Sequence, residues 1–521
     1  MKTPKGPFLE VHPVLVPPNA LLLASPSKSA THRAILIGAL TPHTVIENPL
    51  VSEDTLASLR LAEAIGARTS AEPATETGKR LLGTVGHGLV EAEALDVDGE
   101  DEETGVPGRW TCLPLSPLLA QGRVPRPLLA AQVRLHVERS GPKVRIRSDT
   151  VDVMNSGTTL RLGTALAALG DADVTLDGDT SLRTRPMGAL LEALAALGAE
   201  VSADGADARP PVHVRGPLKP GRTELSGDVS SQFVSALLVA AQAVDGATEV
   251  ALTTPPRSAP YIRLTIETLA RFGGAVEERK EKGANGPTYT ISGPRPLQAT
   301  RYVVPGDWSS AAFPLVAAAV TGGRTILAAM EREGPQGDRA VLDVLEATGC
   351  TVTWEPDPER PGAELLTVSA PVGPLKPFEH GFADTPDLFP ALAVLAARTD
   401  GTSRLFDAAH VRLKECDRVA AMAEVLDAVG VPVAEEKDGV TVHGAADRPL
   451  RAAVLDTRDD HRILMAAAVL GLVGPGPFWL SGPASYHVSY PRFRMDLDAL
   501  GGESRVVDQA EVAPDATGGA S

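Results

Sequence analysis

Cysteine is scarce: Cys112, Cys350 and Cys416 are the three in 521 residues. They lie far apart and are odd in number, which excludes a disulfide framework and offers no zinc-ligand spacing. Aromatic residues make up 4% of the chain, too few for a surface on which bases stack. A net charge of −17 sets the chain against nucleic acid and anionic membranes as main partners. A small anion held by a local cluster stays open. Apolar runs such as 463–480 are broken by Gly and Pro before they could span a bilayer. The opening MKTPKGPFLEVHP has no apolar signal region. No metal-ligand spacing, Ser/His/Asp set or Gly-rich dinucleotide loop after a strand is present. The expected setting is soluble, reducing and cytoplasmic.

What is there reads as globular. The hydrophobic share of 43% and charged share of 22% are ordinary, and 521 residues are too many for one core, so two or more domains are expected. The chain also resembles itself. A helix tail ending in a small-residue turn and running into a strand recurs around Gly66, Gly198, Gly273, Gly349, Gly430 and Gly501. Glycine there suits a helix C-terminus, where a left-handed residue carries little penalty without a Cβ. The intervals are 132, 75, 76, 81 and 71 residues. They reduce to an α+β unit of about 75 residues used six times, the first enlarged by about 55.

Each unit holds a second, mostly apolar helix with a small polar opening. These are PSKSATHRAILIGAL (26–40), NSGTTLRLGTALAAL (155–169), SSQFVSALLVAAQA (230–243), DWSSAAFPLVAAAV (307–320), DTPDLFPALAVLAA (384–397) and DDHRILMAAAVLGL (459–472). A buried helix with such a start leaves backbone N–H groups and a dipole for an anion. Plain N-capping is the simpler reading of any one of them. The domain boundary falls near 303, with an insertion at about 80–140 and a disordered tail over 506–521. The extra residues, between about 69 and 150, include GEDEETG (99–105), a Pro-rich stretch through 107–128 and the strand-like KVRIRSDTVDVM (143–154). The run FLEVHPVLV (8–16) is strand-like too.

Candidate chemistry sits at the helix starts. Lys28, Ser29 and Arg33 open the first buried helix; Arg161 follows Gly157 by four; Arg183 and Arg185 precede Pro186, a good first-turn residue. Ser230, Ser231 and Gln232 offer neutral hydrogen bonds, and Ser258 and Tyr261 flank Pro260. Asp387 heads an apolar helix, where it is either an N-cap or a reactive carboxylate. Asp460-His461-Arg462 heads the last, and His461 reads first as a packed histidine. The densest charge is Arg412-Leu-Lys-Glu-Cys-Asp-Arg418, placed at a helix N-terminus. By itself that run reads as a solvated face. With many cationic donors (Lys28, Arg33, Arg185, Lys414, Arg418, Arg462) and two isolated carboxylates (Asp387, Glu415), the set suits two polyanionic substrates and paired proton transfers.

These segments, in this order, resemble the 5-enolpyruvylshikimate-3-phosphate (EPSP) synthase family: PSKSATHRAIL, NPLVSEDT, NSGTTLR, SLRTRPM, SGDVSSQFVSALL, SAPYIRLT, GDWSSAAF, TPDLFPALAVLA, RLKECDR, DDHRILMA and YPRF, spanning about 20–495. The resemblance implies an α/β (α+β) fold of two similar domains, each of three βαβαββ units, around a cleft. It places 27–303 in the first domain and 1–26 with 304–505 in the second. It implies an enzyme of aromatic amino acid biosynthesis, a transferase that moves the enolpyruvyl group of phosphoenolpyruvate to the 5-hydroxyl of shikimate 3-phosphate. It implies no metal or organic cofactor and two small-molecule partners; a monomer is expected, though the sequence does not give the oligomeric state. Carried over, Asp387 takes the hydroxyl proton, and Glu415 protonates the methylene carbon with Lys28 assisting. Lys28, Gly157, Arg185 and Gln232 hold the phosphate of phosphoenolpyruvate, and Arg418 and Arg462 its carboxylate. Shikimate 3-phosphate falls to Lys28, Ser29, Arg33, Ser230, Ser231, Gln232, Ser258, Tyr261, Asp387 and Lys414.

Three departures from the family pattern stand out. Val488 replaces a lysine that some members carry; His410 stands where some have asparagine; and the insertion has no counterpart. Cys112 and Cys416 read as structural and Asp417 as unassigned. Two other functions stay open: enolpyruvyl transfer to a different hydroxylated acceptor, and an anion-binding paralogue without turnover.

Overall fold

The computed structural model describes residues 6–74, 113–114, 133–139, 141, 143–280, 282–360, 362–444, 446 and 448–512. One repeat shows how the rest are built. Strand Thr150–Asp152 leads into helix Gly157–Ala167, strand Val174–Asp177, helix Gly188–Ala196, and the strands Glu200–Gly205 and Arg209–Arg215. The first two strands pair in parallel, because a helix carries the chain back between them. The last two form an antiparallel pair across a short turn. The sheet order is first, second, fourth, third strand.

Five further sheets among the described residues share this order of one parallel pair and two antiparallel neighbours, and the sheet of the first repeat adds a fifth strand, Leu113–Pro114, antiparallel to Ala67–Pro73. Three of the six are completed from elsewhere in the chain. Thr300–Val303 pairs in parallel with His43–Glu47. Asn19–Leu23 pairs in parallel with Arg324–Ala328. Phe8–Val11 enters between Phe478–Leu480 and Ser504–Val507. The chain accordingly separates into two compact units: Pro26–Val304, and the residues up to Ser25 together with those from Pro305 onward.

Each unit has its own core. The helices Lys28–Gly38, Gly157–Ala167 and Ser231–Ala241 run through one, and Trp308–Thr321, Phe389–Ala397 and His461–Gly471 through the other. They are apolar on almost every side, as burial on every side requires. The second helix of each repeat stops two residues before the marked glycine, and all six of those glycines have positive φ, from 79° at Gly273 to 104° at Gly66.

Several expectations need adjusting. Only 150–152 of the strand-like run 143–154 is strand. Residues before it are tied by Arg145 N and Arg147 N to the carbonyls of Ile65 and Ala64. The run 8–16 becomes the four-residue strand Phe8–Val11 alone. Most of the insertion at 80–140, including Cys112, lies outside the described residues. Its last part, Val133–Arg139, is a strand in the middle of the first sheet, paired with His43–Glu47 and Ala67–Pro73. The tail is ordered further than expected. Ser504–Val507 is a strand, because Val507 packs with Phe8 and Trp479 in a small apolar cluster of its own; residues 513–521 lie outside the described ones.

Candidate active site

Arg418 organises the first of two polar clusters. It opens helix Arg418–Ala428 and is 1% exposed. Its guanidinium donates on three sides: Nη1 to Asp387 Oδ1 at 3.0 Å, Nη2 to Glu415 Oε2 at 2.7 Å, and Nε to Asp460 Oδ2 at 2.8 Å. Arg462 Nη2 reaches the other Asp387 oxygen at 3.1 Å, and Lys414 Nζ stands 3.6 Å from Oδ1. Burial by itself would push the Asp387 carboxyl up, but Arg462, Lys414 and Arg418 hold it far below the usual carboxylate range. Burial pulls the Lys414 ammonium down, against the pull of Asp387. The five residues Asp387, Lys414, Glu415, Arg418 and Arg462 thus form one contact set.

Asp387 is no N-cap. It lies in the short turn Pro386–Leu388, and the helix after it starts without a side-chain cap. The sequence offers two isolated carboxylates here; the structure adds Asp460, fully buried, which also caps the last helix through Arg462 N and Ile463 N. Three cations are therefore matched by three carboxylates, so the expected surplus of positive charge is absent from this cluster. A further carboxylate, Asp338, is not among the candidates the sequence offers. It is 3% exposed and accepts a hydrogen bond from Ser309. The signal for it was the Gln336-Gly337-Asp338 run ahead of helix Val341–Ala347, which is silent unless its fold neighbours are known.

The second cluster is in the other unit. Lys28 Nζ pairs with Asp54 Oδ2 at 2.9 Å. Arg33 is 1% exposed and lies between three helices. It donates to Thr265 Oγ1 (2.8 Å), Ser29 O (2.9 Å), Tyr261 O (3.0 Å) and Ser235 Oγ (3.5 Å). Burial lowers it to about 10, so it keeps its charge at neutral pH. In this structure it fastens helix Lys28–Gly38 to Ser231–Ala241 and Ala259–Arg271.

Gly157 begins its helix where two guanidinium groups converge. A Cβ there would lie 2.6 Å from Arg185 Nη1 and 3.7 Å from Arg161 Nη1, so glycine is what lets Arg185 approach. Arg185 donates to Asn155, and Arg161 to Gln232, whose Nε2 donates to Thr158 Oγ1 at 2.9 Å. Ser156 caps this helix start. A buried chain of polar groups, His32 Nδ1 to Ser58 (2.7 Å), Ser58 to Thr159 (2.8 Å) and Thr159 to Ser156 (2.8 Å), ties it to helix Lys28–Gly38. Backbone N–H groups, Arg185, Arg161 and Gln232 make this a ready anion site.

Ser230 is an N-cap, accepting from Gln232 N, and Ser231 is buried behind it. Ser258 is 8% exposed with φ 55°, and its side chain caps nothing; Tyr261 is half-buried on the same helix start. Arg183 and Arg185 part company: Arg183 forks onto Asp177 at the surface. Pro186 lies ahead of the helix, whose N-cap is Met187. Asp417 gains a role as N-cap of Arg418–Ala428 and partner of Arg412. Cys416 is raised by burial and by Asp460, so its thiol stays protonated; Cys350 is also buried. His461 is 2% exposed at its helix start, while His410 and Val488 are half-buried in short turns. Among the described residues no helix is long and apolar enough to cross a membrane, and no group of three or more His, Cys, Asp or Glu side chains is placed to hold a metal ion.

Known proteins carry the same framework. The family model for EPSP synthase (3-phosphoshikimate 1-carboxyvinyltransferase) matches residues 19–92 and 128–497. The 3-phosphoshikimate 1-carboxyvinyltransferase of Halobacterium salinarum is 37% identical over 486 residues, covering 92% of this chain and 96% of its own. That of Methanosarcina mazei is 35% identical over 488 residues, covering 94% and 97%. Among solved structures, an EPSP synthase from Acinetobacter baumannii superposes with a TM-score of 0.70 at 25% identity, covering 96% of this chain and all of its own. With the repeat, the two clusters and these likenesses in agreement, the chain belongs to the EPSP synthase (3-phosphoshikimate 1-carboxyvinyltransferase) family.

Proposed function

We propose that Asp387 and Glu415 move the protons in the carboxyvinyl transfer this enzyme performs, in which the group passes from phosphoenolpyruvate to the 5-hydroxyl of shikimate 3-phosphate and inorganic phosphate leaves. The observation that carries the assignment is that one buried guanidinium, Arg418, holds both carboxylates although they are far apart in sequence. Asp387 accepts the hydroxyl proton as the oxygen bonds to the enol carbon, and Glu415, assisted by Lys28, gives a proton to the methylene carbon. From the resulting tetrahedral adduct Glu415 takes a proton back, the double bond re-forms and phosphate departs.

The salt bridges give this a logic. While Arg418 and Arg462 grip Asp387 it is a very weak base. A substrate carboxylate that took over those guanidinium groups would release Asp387 and raise its proton affinity when a base is needed. In the other unit, Lys28, Gly157, Arg185 and Gln232 take the phosphate of phosphoenolpyruvate. Lys28, Ser29, Arg33, Ser230, Ser231, Gln232, Ser258 and Tyr261, with Asp387 and Lys414, take shikimate 3-phosphate. On this reading the enzyme works in the cytoplasm as a monomer without nucleic-acid or membrane partners, which the net charge of −17 supports.

Glu415→Gln keeps the side chain's shape and removes its proton chemistry. Turnover should fall by about a hundredfold or more while the Kd of shikimate 3-phosphate stays within about twofold of the wild type. Unchanged turnover would remove Glu415 from the mechanism. Phosphate release by the wild type only with a different hydroxylated acceptor would redirect the substrate assignment, and binding without release would favour a paralogue without turnover.

A further inference from the structure

Asp338 is a buried carboxylate that the mechanism above does not use. It lies in the turn Gly337–Ala340, held against the start of helix Trp308–Thr321 by Gln336, which accepts from Trp308 N at 3.2 Å and donates to Gly306 O at 2.8 Å. Ser309, on the first turn of that helix, donates to Asp338 Oδ2. Oδ1 is buried with no hydrogen-bond partner among the described residues. The turn Pro386–Leu388 that carries Asp387, and the helix that carries Arg462, pack on this same helix. The groups acting on Asp338 are Ser309, the carboxylates Asp387 and Asp307, and the Arg462 guanidinium. Asp338 and Asp387 thus sit on two turns packed against one helix, and the Asp387 charge acts on Asp338.

We propose that Asp338 is a positioning residue for the transfer reaction, a second carboxylate whose charge state sets how strongly Asp387 takes a proton. The proposal rests on the reading of Asp387 as the base. Two buried carboxylates that feel one another do not readily both ionise. Asp387 has three cations and keeps its charge; Asp338, lacking them, keeps the proton. Burial and the Asp387 charge push Asp338 up to about 7, opposed by Ser309 and Arg462. Below that pH it is neutral and leaves Asp387 a weak base. Above it, the new negative charge raises the proton affinity of Asp387, which strengthens the base.

The test is the pH profile of turnover with both substrates saturating. The wild type should gain about threefold or more between about pH 6 and about pH 8. Asp338→Asn, which preserves shape and can still accept from Ser309, should match the wild type at the acid end and lack that rise. Ser309→Ala removes a bond that favours the charged form, so its rise should move to higher pH; this variant also serves if Asp338→Asn folds poorly. A flat wild-type profile, a rise retained in Asp338→Asn, or an unmoved rise in Ser309→Ala would each overturn the proposal. Asp387→Asn with wild-type turnover would instead end the reading of Asp387 as base, whatever the Asp338 profile shows.

Discussion

Arg418→Met is the most informative perturbation of stability. The side chain is 1% exposed and touches Asp387, Glu415 and Asp460 at 3.0, 2.7 and 2.8 Å. Methionine fills much of its volume but leaves those carboxylates short of a cation. Asp387 keeps Arg462 at 3.1 Å, and Asp460 keeps its two backbone donors, so the loss is that of one broken buried pair and not three: about 3–5 kcal/mol at neutral pH. For a domain the size of this unit, 1 kcal/mol moves the melting temperature by about 2–4 °C, so the transition should fall by roughly 10 °C. The pH dependence has a definite sign. The Asp387 carboxyl is depressed in the folded wild type, so its contribution is complete above the unfolded carboxylate range and is lost as pH falls through the folded value. In the variant the carboxylates that lose Arg418 titrate closer to their unfolded range, so the deficit should be largest near about pH 7 and shrink toward about pH 3. Differential scanning calorimetry of both proteins at those two pH values decides it. A shift of less than about 3 °C, or a deficit as large at the acid end, would refute the picture of a buried guanidinium holding charged carboxylates together. Adding Asp460→Asn should recover part of the loss.

Two further outcomes follow from close approaches. Gly157→Ala would put a Cβ 2.6 Å from Arg185 Nη1, the movable end of a long side chain. Stability should hardly change, while the KM for phosphoenolpyruvate rises about tenfold as Arg185 is displaced; an unaltered KM would detach Gly157 from the phosphate. Among the helix-ending glycines, Gly66→Ala should be more costly than Gly198→Ala. Both have positive φ, but the new Cβ meets the Arg145 carbonyl at 2.8 Å in the first and only the Lys219 side chain at 3.2 Å in the second. Chemical denaturation should show roughly 1–2 kcal/mol for the left-handed conformation alone and a larger loss at Gly66; equal losses would contradict this.

How much was legible follows from the range over which each cause acts. The six-fold repeat, the buried helices with polar starts and the six glycines after the outer helices are consequences of neighbours a few residues apart. Apolar periodicity, capping chemistry and the left-handed allowance of glycine can all be read in a single sequence, and Gly66 through Gly501 obey them. The chemistry of Arg412–Arg418 was legible only in part. As a charge run it looked like a solvated face, and resemblance to a family gave it roles, yet nothing local said that Arg418 would be buried.

Only the tertiary structure decided which repeats are completed by distant strands, since Phe8–Val11, Asn19–Leu23 and Thr300–Val303 find their partners by register across the chain. It also brought Asp387 and Asp460 to one guanidinium, that of Arg418, and Asp338 to Ser309. Charge balance inside a dry cluster depends on where 3 Å contacts fall, and those contacts join residues from Asp387 to Arg462. The sequence by itself determined the repeat and the kinds of groups available; packing decided which carboxylate keeps its charge and which keeps its proton.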